Sequence, residues 1–192
     1  MRIIAGAKRG MKLLSPKAQV SRPITDRVKE SLFSVLYKYD LPNGKRIADL
    51  FCGVGSLGLE ALSRGAEFVT FVEKDPKIIA VLEKNIEKAG YAGESKVIRA
   101  NAFKIGAPVN FDRQQYGLIF VDPPYSATRN IDVDSPLSGL LTLLGEQVAP
   151  DGIVAVRAYK HTELLEQYGQ LEMIDRRQWG TMAVTILKQA GR

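Results

Sequence analysis

The stretch R-I-A-D-L-F-C-G-V-G-S-L-G, residues 46–58, reads as a strand, a glycine loop and the start of a helix. Apolar Ile47, Ala48, Leu50 and Phe51 run into Gly53, Gly55 and Gly58, and the helical L-G-L-E-A-L-S-R follows. Glycines spaced G-x-G-x-x-G mark the first strand-to-helix turn of a wound α/β sheet, where a nucleotide cofactor lies against the backbone. Without a Cβ the chain turns tightly and a ligand can approach its amides. A glycine-rich turn is by itself often only a turn. Two neighbours give this one chemistry. Asp49 is an acid inside the strand, and Glu73 closes the next apolar run, F-V-T-F-V-E, where a carboxylate bonds ribose hydroxyls.

Asp49 also separates two cofactor classes. A dinucleotide lays its pyrophosphate against this loop, and an adjacent carboxylate repels it. S-adenosylmethionine instead presents an ammonium group beside a sulfonium, and a carboxylate attracts both. The loop therefore reads as a methyl-donor site before an NAD site.

D-P-P-Y, residues 122–125, follows the apolar strand G-L-I-F-V and is the most specific motif in the chain. Its prolines remove two N–H donors and stiffen the turn. The Asp122 side chain and the Pro123 carbonyl remain as acceptors, and Pro124 delivers Tyr125 as a stacking ring. Two acceptors and one ring suit a planar base with an exocyclic amine. Hydrogen bonds to both amine hydrogens localise the nitrogen lone pair toward the methyl group, and such preorganised groups supply roughly 10²–10³ in rate each. The base must be unpaired or flipped to enter.

Composition narrows the alternatives. The 192 residues, 25% charged and 45% hydrophobic, make one substantial core. No apolar run approaches a membrane span, and the opening M-R-I-I-A-G-A-K-R-G is interrupted by charge too soon for a signal peptide. The single cysteine, Cys52, excludes an internal disulfide and fits a reducing cytoplasm. With one Cys and one His, His161, neither a zinc cluster nor a histidine-based triad is expected, and His161 reads as a surface residue. The net charge of +6 lies wholly in the first 30 residues. There Arg2, Lys8, Arg9, Lys12, Lys17, Arg22, Arg27 and Lys29 outnumber Asp26 and Glu30. A basic arm on a neutral body is the footprint of a polyanion binder.

Along the chain, Met1–Leu14 reads as a hairpin with a basic tip. Thr25 caps a helix with Val28, Leu32, Val35, Leu36 and Tyr39 on one face. Asp75-Pro76 opens a second helix that stops at Gly90. K-V-I-R-A is a strand leading to Asn101, which either bonds the adenine amine or caps a helix. Ser135-Pro136 starts a further helix, I-V-A-V-R-A is a strand, Thr162–Gln167 a short helix, and a hairpin turning near Trp179-Gly180 ends the chain. The alternation predicts a largely parallel α/β sheet.

The motifs R-I-I-A-G-x-x-R-G-x-x-L, R-P-I-T-D-R-V-K-E-S-L-F, D-L-F-C-G-V-G-S-L-G-L-E-A-L-S-R-G-A, F-V-E-K-D and F-V-D-P-P-Y closely resemble the RsmD family, bacterial methyltransferases acting on N2 of a guanine in 16S ribosomal RNA. The resemblance covers Arg2 to Tyr125 and is fainter beyond. It implies a Rossmann-like class I S-adenosylmethionine-dependent methyltransferase fold with a seven-stranded, mostly parallel sheet. It implies a basic N-terminal extension over residues 1–40, hairpin plus helix, and a catalytic domain over 41–192. Cofactor residues would be Asp49, Phe51, Gly53, Gly55, Glu73, Lys74, Asn101, Ala102 and Asp122. Asp122, Pro123, Pro124 and Tyr125 would form the catalytic motif, and S-adenosylhomocysteine would be the product, with no metal. RNA would meet Arg2, Lys8, Arg9, Lys12, Arg22 and Arg27. The expected partner is 16S rRNA within an assembled or assembling small subunit, and the expected state a cytoplasmic monomer with no membrane contact. The rivals are a DNA adenine-N6 methyltransferase, whose amine suits D-P-P-Y equally, an NAD-dependent oxidoreductase and a non-catalytic RNA-binding module.

Overall fold

The computed structural model describes residues 1–16, 24–109 and 114–191. The strands are β1 (Arg46–Leu50), β2 (Phe68–Glu73), β3 (Ser95–Arg99), β4 (Tyr116–Val121), β5 (Val148–Tyr159), β6 (Gln167–Tyr168), β7 (Leu171–Trp179) and β8 (Met182–Gln189). The helices are α1 (Asp26–Leu36), α2 (Ser56–Ser63), α3 (Pro76–Ala89), α4 (Ala102–Ile105) and α5 (Pro136–Gln147). One sheet runs β3-β2-β1-β4-β5-β8-β7-β6, parallel from β3 to β5 and antiparallel beyond.

The strands alternate as a sheet buried on both faces requires. Ile47, Leu118, Phe120, Ile153 and Ala155 pack with α1, α2 and α3, whereas Ala48, Leu50, Ile119, Val121, Val154 and Val156 pack with α5. Local signals set the helix ends. Thr25 accepts the Val28 N–H, Asp75 accepts the Lys77 N–H ahead of Pro76, and Ser135 accepts the Ser138 N–H ahead of Pro136. These are the three starts expected from sequence.

Two expectations are corrected. The sheet has eight strands rather than seven, and Thr162–Gln167 is not a helix. The Leu165 N–H donates to the Tyr168 hydroxyl and the Met173 N–H to the Glu166 carbonyl, which ties this segment to β7 as a two-residue edge strand.

The N-terminal hairpin is closed by an Arg2–Lys12 bridge and by backbone bonds from Ile3 to Met11, Gly10 to Ile3 and Leu13 to Met1, and it is also bonded to the body. The Ile4 and Ala5 N–H groups donate to Glu60 at 2.8 and 3.1 Å, Lys8 N–H to Ser63 Oγ at 2.9 Å, and Leu14 N–H to Asn85 Oδ1 at 2.8 Å. At Gly6, φ is +77° and a Cβ would fall 1.7 Å from the Ser63 carbonyl oxygen, so only glycine permits this approach. Glu60 is fully buried and also pairs with Arg64 at 2.8 Å and Lys29 at 3.5 Å. Hairpin, α1 and α2 thus meet on one carboxylate. Ile3, Leu13, Leu32 and Phe33 belong to the same core as Leu59 and Phe71.

Strand order reverses at β1, which lies between β2 and β4. Connections leaving β1 and β4 diverge there, and a crevice opens at the carboxyl ends of these strands.

Candidate active site

Immediately after β1 the chain turns through Phe51 at φ +58°, a left-handed conformation rare for an aromatic residue and typical of constrained functional loops. The three loop glycines have different jobs. A Cβ at Gly53 would meet nothing within 4 Å, so this backbone faces open space. A Cβ at Gly55 would lie 2.5 Å from Leu82 Cδ1, and one at Gly58 would lie 2.3 Å from Phe71 Cε1. Those two let α3 and β2 pack closely on the loop and on α2.

Both expected carboxylates reach this loop. Glu73 Oε2 accepts the Gly53 N–H at 3.1 Å, while Oε1 accepts the Lys74 and Asp75 N–H groups at 2.8 and 3.0 Å. The carboxylate is therefore pinned directly against the Gly53 backbone. Asp49 is buried, and its Oδ2 accepts the Gly58 N–H at 2.8 Å, anchoring the first turn of α2. Burial pushes the Asp49 carboxyl up to about 7; the Gly58 N–H opposes this, Asp122 and Glu73 add to it, and Arg157 opposes it.

The Phe51 and Phe103 rings, with centroids 4.7 Å apart, form an aromatic wall beside the loop. Asn101 caps α4, its Oδ1 accepting the Phe103 N–H at 3.1 Å, which leaves one lone pair and the amide donors. Ala102 beneath it is buried, and the Lys74 side chain is exposed.

At the opposite end, β4 delivers Asp122, whose N–H donates to the Leu50 carbonyl at 3.3 Å. Pro123 is buried, Pro124 exposed and Tyr125 half-buried at the start of a 3-10 turn. Tyr125 meets Tyr159 with ring centroids 6.2 Å apart, and Tyr159 meets His161 at 5.3 Å. A cleft of about 690 Å³ opens here, bordered by Tyr125, Arg129, Tyr159, His161 and Glu163. His161 is exposed, as expected, and borders the cleft together with Tyr125.

The sequence reading missed Arg157. From the end of β5 its Nε donates to Asp122 Oδ1 at 2.5 Å, with the two side chains 12% and 19% exposed. Burial pushes the Asp122 carboxyl above its usual range, and the guanidinium charge and hydrogen bond pull it back. The available signal was one cation in an otherwise apolar buried strand, I-V-A-V-R-A.

The basic residues do not form one patch. Arg2 pairs with Asp26 at 2.6 Å, and Lys29 is 1% exposed. Lys8 lies over the Tyr91 ring beside Gly90, at the C-terminal end of α3 and the sheet edge remote from the crevice. Arg9 is exposed at the same hairpin tip, and the Lys12 carbonyl accepts from Lys88. Arg27, at the start of α1, shares a groove of about 590 Å³ with Arg177 and Trp179. Since β7 runs parallel to β5, that groove is on the crevice side of the sheet. Arg22 lies outside the described residues. Among the described residues no helix is long and apolar enough to cross a membrane, and no three metal-binding side chains gather.

The family model for Conserved hypothetical protein 95 matches residues 1–188. A Bacillus subtilis (strain 168) protein described as "Putative rRNA methyltransferase YlbH" is 35% identical over 193 aligned residues, covering 100% of both chains. Ribosomal RNA small subunit methyltransferase D of Escherichia coli K12 is 40% identical over 129 residues, 65% of this chain and 60% of that one. Among solved structures, "Putative methyltransferase yhhF" from Escherichia coli superposes with a TM-score of 0.82 at 29% identity, covering 100% of this chain and 99% of that one. The fold is that of a class I methyltransferase.

Proposed function

The chain belongs to the RsmD family, and from that premise we propose that it methylates the exocyclic N2 of a guanine in 16S ribosomal RNA, using S-adenosylmethionine, on an assembled or assembling small subunit. One observation carries this reading: a glycine loop whose amides bond Asp49 and Glu73 leaves β1 directly beside the end of β4 that delivers the acceptor-rich D-P-P-Y turn.

The donor set fits the cofactor. Gly53 offers open backbone, Glu73 an acceptor for hydroxyls, the Phe51–Phe103 wall a face for adenine, and Asp49 a negative charge toward an ammonium or sulfonium. When bound, S-adenosylmethionine supplies a methyl group on sulfur, which keeps the electron pair of the breaking C–S bond and leaves as S-adenosylhomocysteine. Asp122 Oδ2 and the Pro123 carbonyl accept the two amine hydrogens and aim the nitrogen lone pair along the new N–C bond. Tyr125 holds the ring face, a contact worth about 1–3 kcal/mol. The proton shed by the methylated amine leaves to water in the open cleft. No strong base is required; alignment supplies much of the remaining acceleration.

Asp49 makes cofactor binding depend on pH. A carboxyl held near 7 by burial is largely protonated in acid, whereas a bound cation favours its ionised form. Binding therefore releases a proton below that value. Affinity for S-adenosylmethionine is expected to rise about tenfold per pH unit up to about pH 7 and then level. Calorimetric titration across this range checks it, and a flat affinity would remove Asp49 from the donor site. Without cofactor the linkage has the opposite sign: the folded pKa lies above the unfolded value, so stability falls as pH rises from about 4 through 7.

The basic arm supports a large RNA substrate. A substrate spanning from crevice to hairpin tip would meet Arg27 at one edge and Lys8 and Arg9 at the other. Charge reversal at Lys8, Arg9 and Lys12 is expected to weaken RNA binding and flatten its salt dependence by about one unit per lost phosphate contact. An unchanged salt slope would refute this interface. Mapping N2-methylguanine in ribosomal RNA from a deletion strain and its complemented parent tests the function itself. Label transfer to duplex DNA, with none to ribosomal RNA, would favour the adenine-N6 alternative.

A further inference from the structure

We propose that Arg157 is a positioning residue for the amine acceptor, fixing Asp122 Oδ1 so that Oδ2 faces the substrate amine. The inference rests on the methyl-transfer reading above and adds a residue to it. Arg157 Nε lies 2.5 Å from Oδ1, and both side chains are largely buried. A carboxylate held at one oxygen cannot rotate freely, so the other keeps one direction. Charged hydrogen bonds of this kind are the strong ones.

Retaining a cation at this position is costly. Arg157 NH1 is buried with no hydrogen-bond partner among the described residues, a cost that an aliphatic residue in this apolar strand would avoid. What the guanidinium provides is its contact with Asp122. Asp122 belongs to a turn stiffened by two prolines, and Arg157 to the next strand, where Val121 pairs with Val156. The register thus brings a rigid cation beside a rigid acceptor.

Charge state follows from the same contact. Burial favours the protonated carboxyl, which would turn one acceptor oxygen into a donor, and Arg157 opposes this. Asp49 on β1 is the carboxylate that interacts with Asp122, and Glu73 on β2 interacts with Asp49 in turn. Tyr125 adjoins Asp122 in the motif, Tyr159 reaches the cleft from β5, and His161 stands behind Tyr159. Both carboxylates are present in wild type and variants alike, so a limb shift on replacing Arg157 alone is read as a difference against the same background.

The test is the pH profile of kcat at saturating S-adenosylmethionine and RNA for the wild type, Arg157→Met and Arg157→Lys. For Arg157→Met, kcat near neutral pH is expected to fall about 100-fold, with cofactor affinity and RNA KM within about threefold. The acid limb should move up by about one pH unit or more, and added guanidinium should restore part of the rate. Arg157→Lys keeps the charge without the rigid fork. It should keep the acid limb while losing about tenfold in kcat. If Arg157→Met does not fold, Arg157→Gln, neutral but still a donor, takes its place with the same expected limb shift. A neutral variant with the wild-type limb, or with an equal loss at every pH, overturns the inference. A wild type that transfers no methyl group at any pH defeats the parent reading instead.

Discussion

Asp122→Asn is expected to lower kcat by about 10²–10³-fold while S-adenosylmethionine affinity stays within about threefold, and Asp122→Ala to remove detectable turnover. The asparagine keeps the shape and one acceptor oxygen but loses the charge that faces Arg157, and it adds a donor that can point at the substrate amine. The alanine removes the acceptor and leaves the largely buried Arg157 without its anion, so it also carries a stability cost, roughly 3–5 kcal/mol for a broken buried pair. Comparing the two separates chemistry from folding. Single-turnover methyl transfer, with calorimetry for the cofactor, is the measurement. A loss below about tenfold in Asp122→Ala would mean that the amine is not held here.

The second large effect is structural. Glu60→Ala is expected to destabilise the fold by about 3–5 kcal/mol, because it leaves Lys29 and Arg64 without their buried anion and two hairpin amides without an acceptor. Lys29 is the more exposed to this loss. Burial already lowers its pKa and Glu60 is the main opposing influence, whereas Arg64 retains Glu30 and the Tyr37 hydroxyl. Glu60→Gln should fall between, since one carbonyl oxygen can still accept an amide hydrogen. Urea unfolding of the two variants gives the comparison. A change under about 1 kcal/mol in Glu60→Ala would show that the buried Glu60 bonds are not what holds the hairpin to the body.

What could be read in advance follows from the range of each interaction along the chain. Gly53, Gly55, Gly58, Asp49 and Glu73 lie in adjacent segments of one strand–helix–strand unit, and the caps at Thr25, Asp75 and Ser135 act within three residues. Such local patterns are visible without a fold. Arg157 and Asp122 are 35 residues apart and meet only when β5 takes its place beside β4. The same holds for Tyr159 and His161, which reach the D-P-P-Y turn only once that strand is placed. Counting charge over the first 30 residues treats every cation as solvated, yet Lys29 is committed to Glu60 and Arg2 to Asp26. For Asn101 the sequence leaves an adenine contact and a helix cap open, and the structure shows the cap of α4. The eighth strand escaped because two residues carry no periodicity, and only the neighbouring Leu171–Glu172 pair makes Gln167–Tyr168 a strand.

The borders of the sheet bear on how the protein behaves at high concentration. One ends in the two-residue strand Gln167–Tyr168, and the other in Ser95–Arg99, where Lys96 and Arg99 are exposed. A stub and a charged rim are poor templates for strand addition by another copy, which guards the chain against self-templated aggregation.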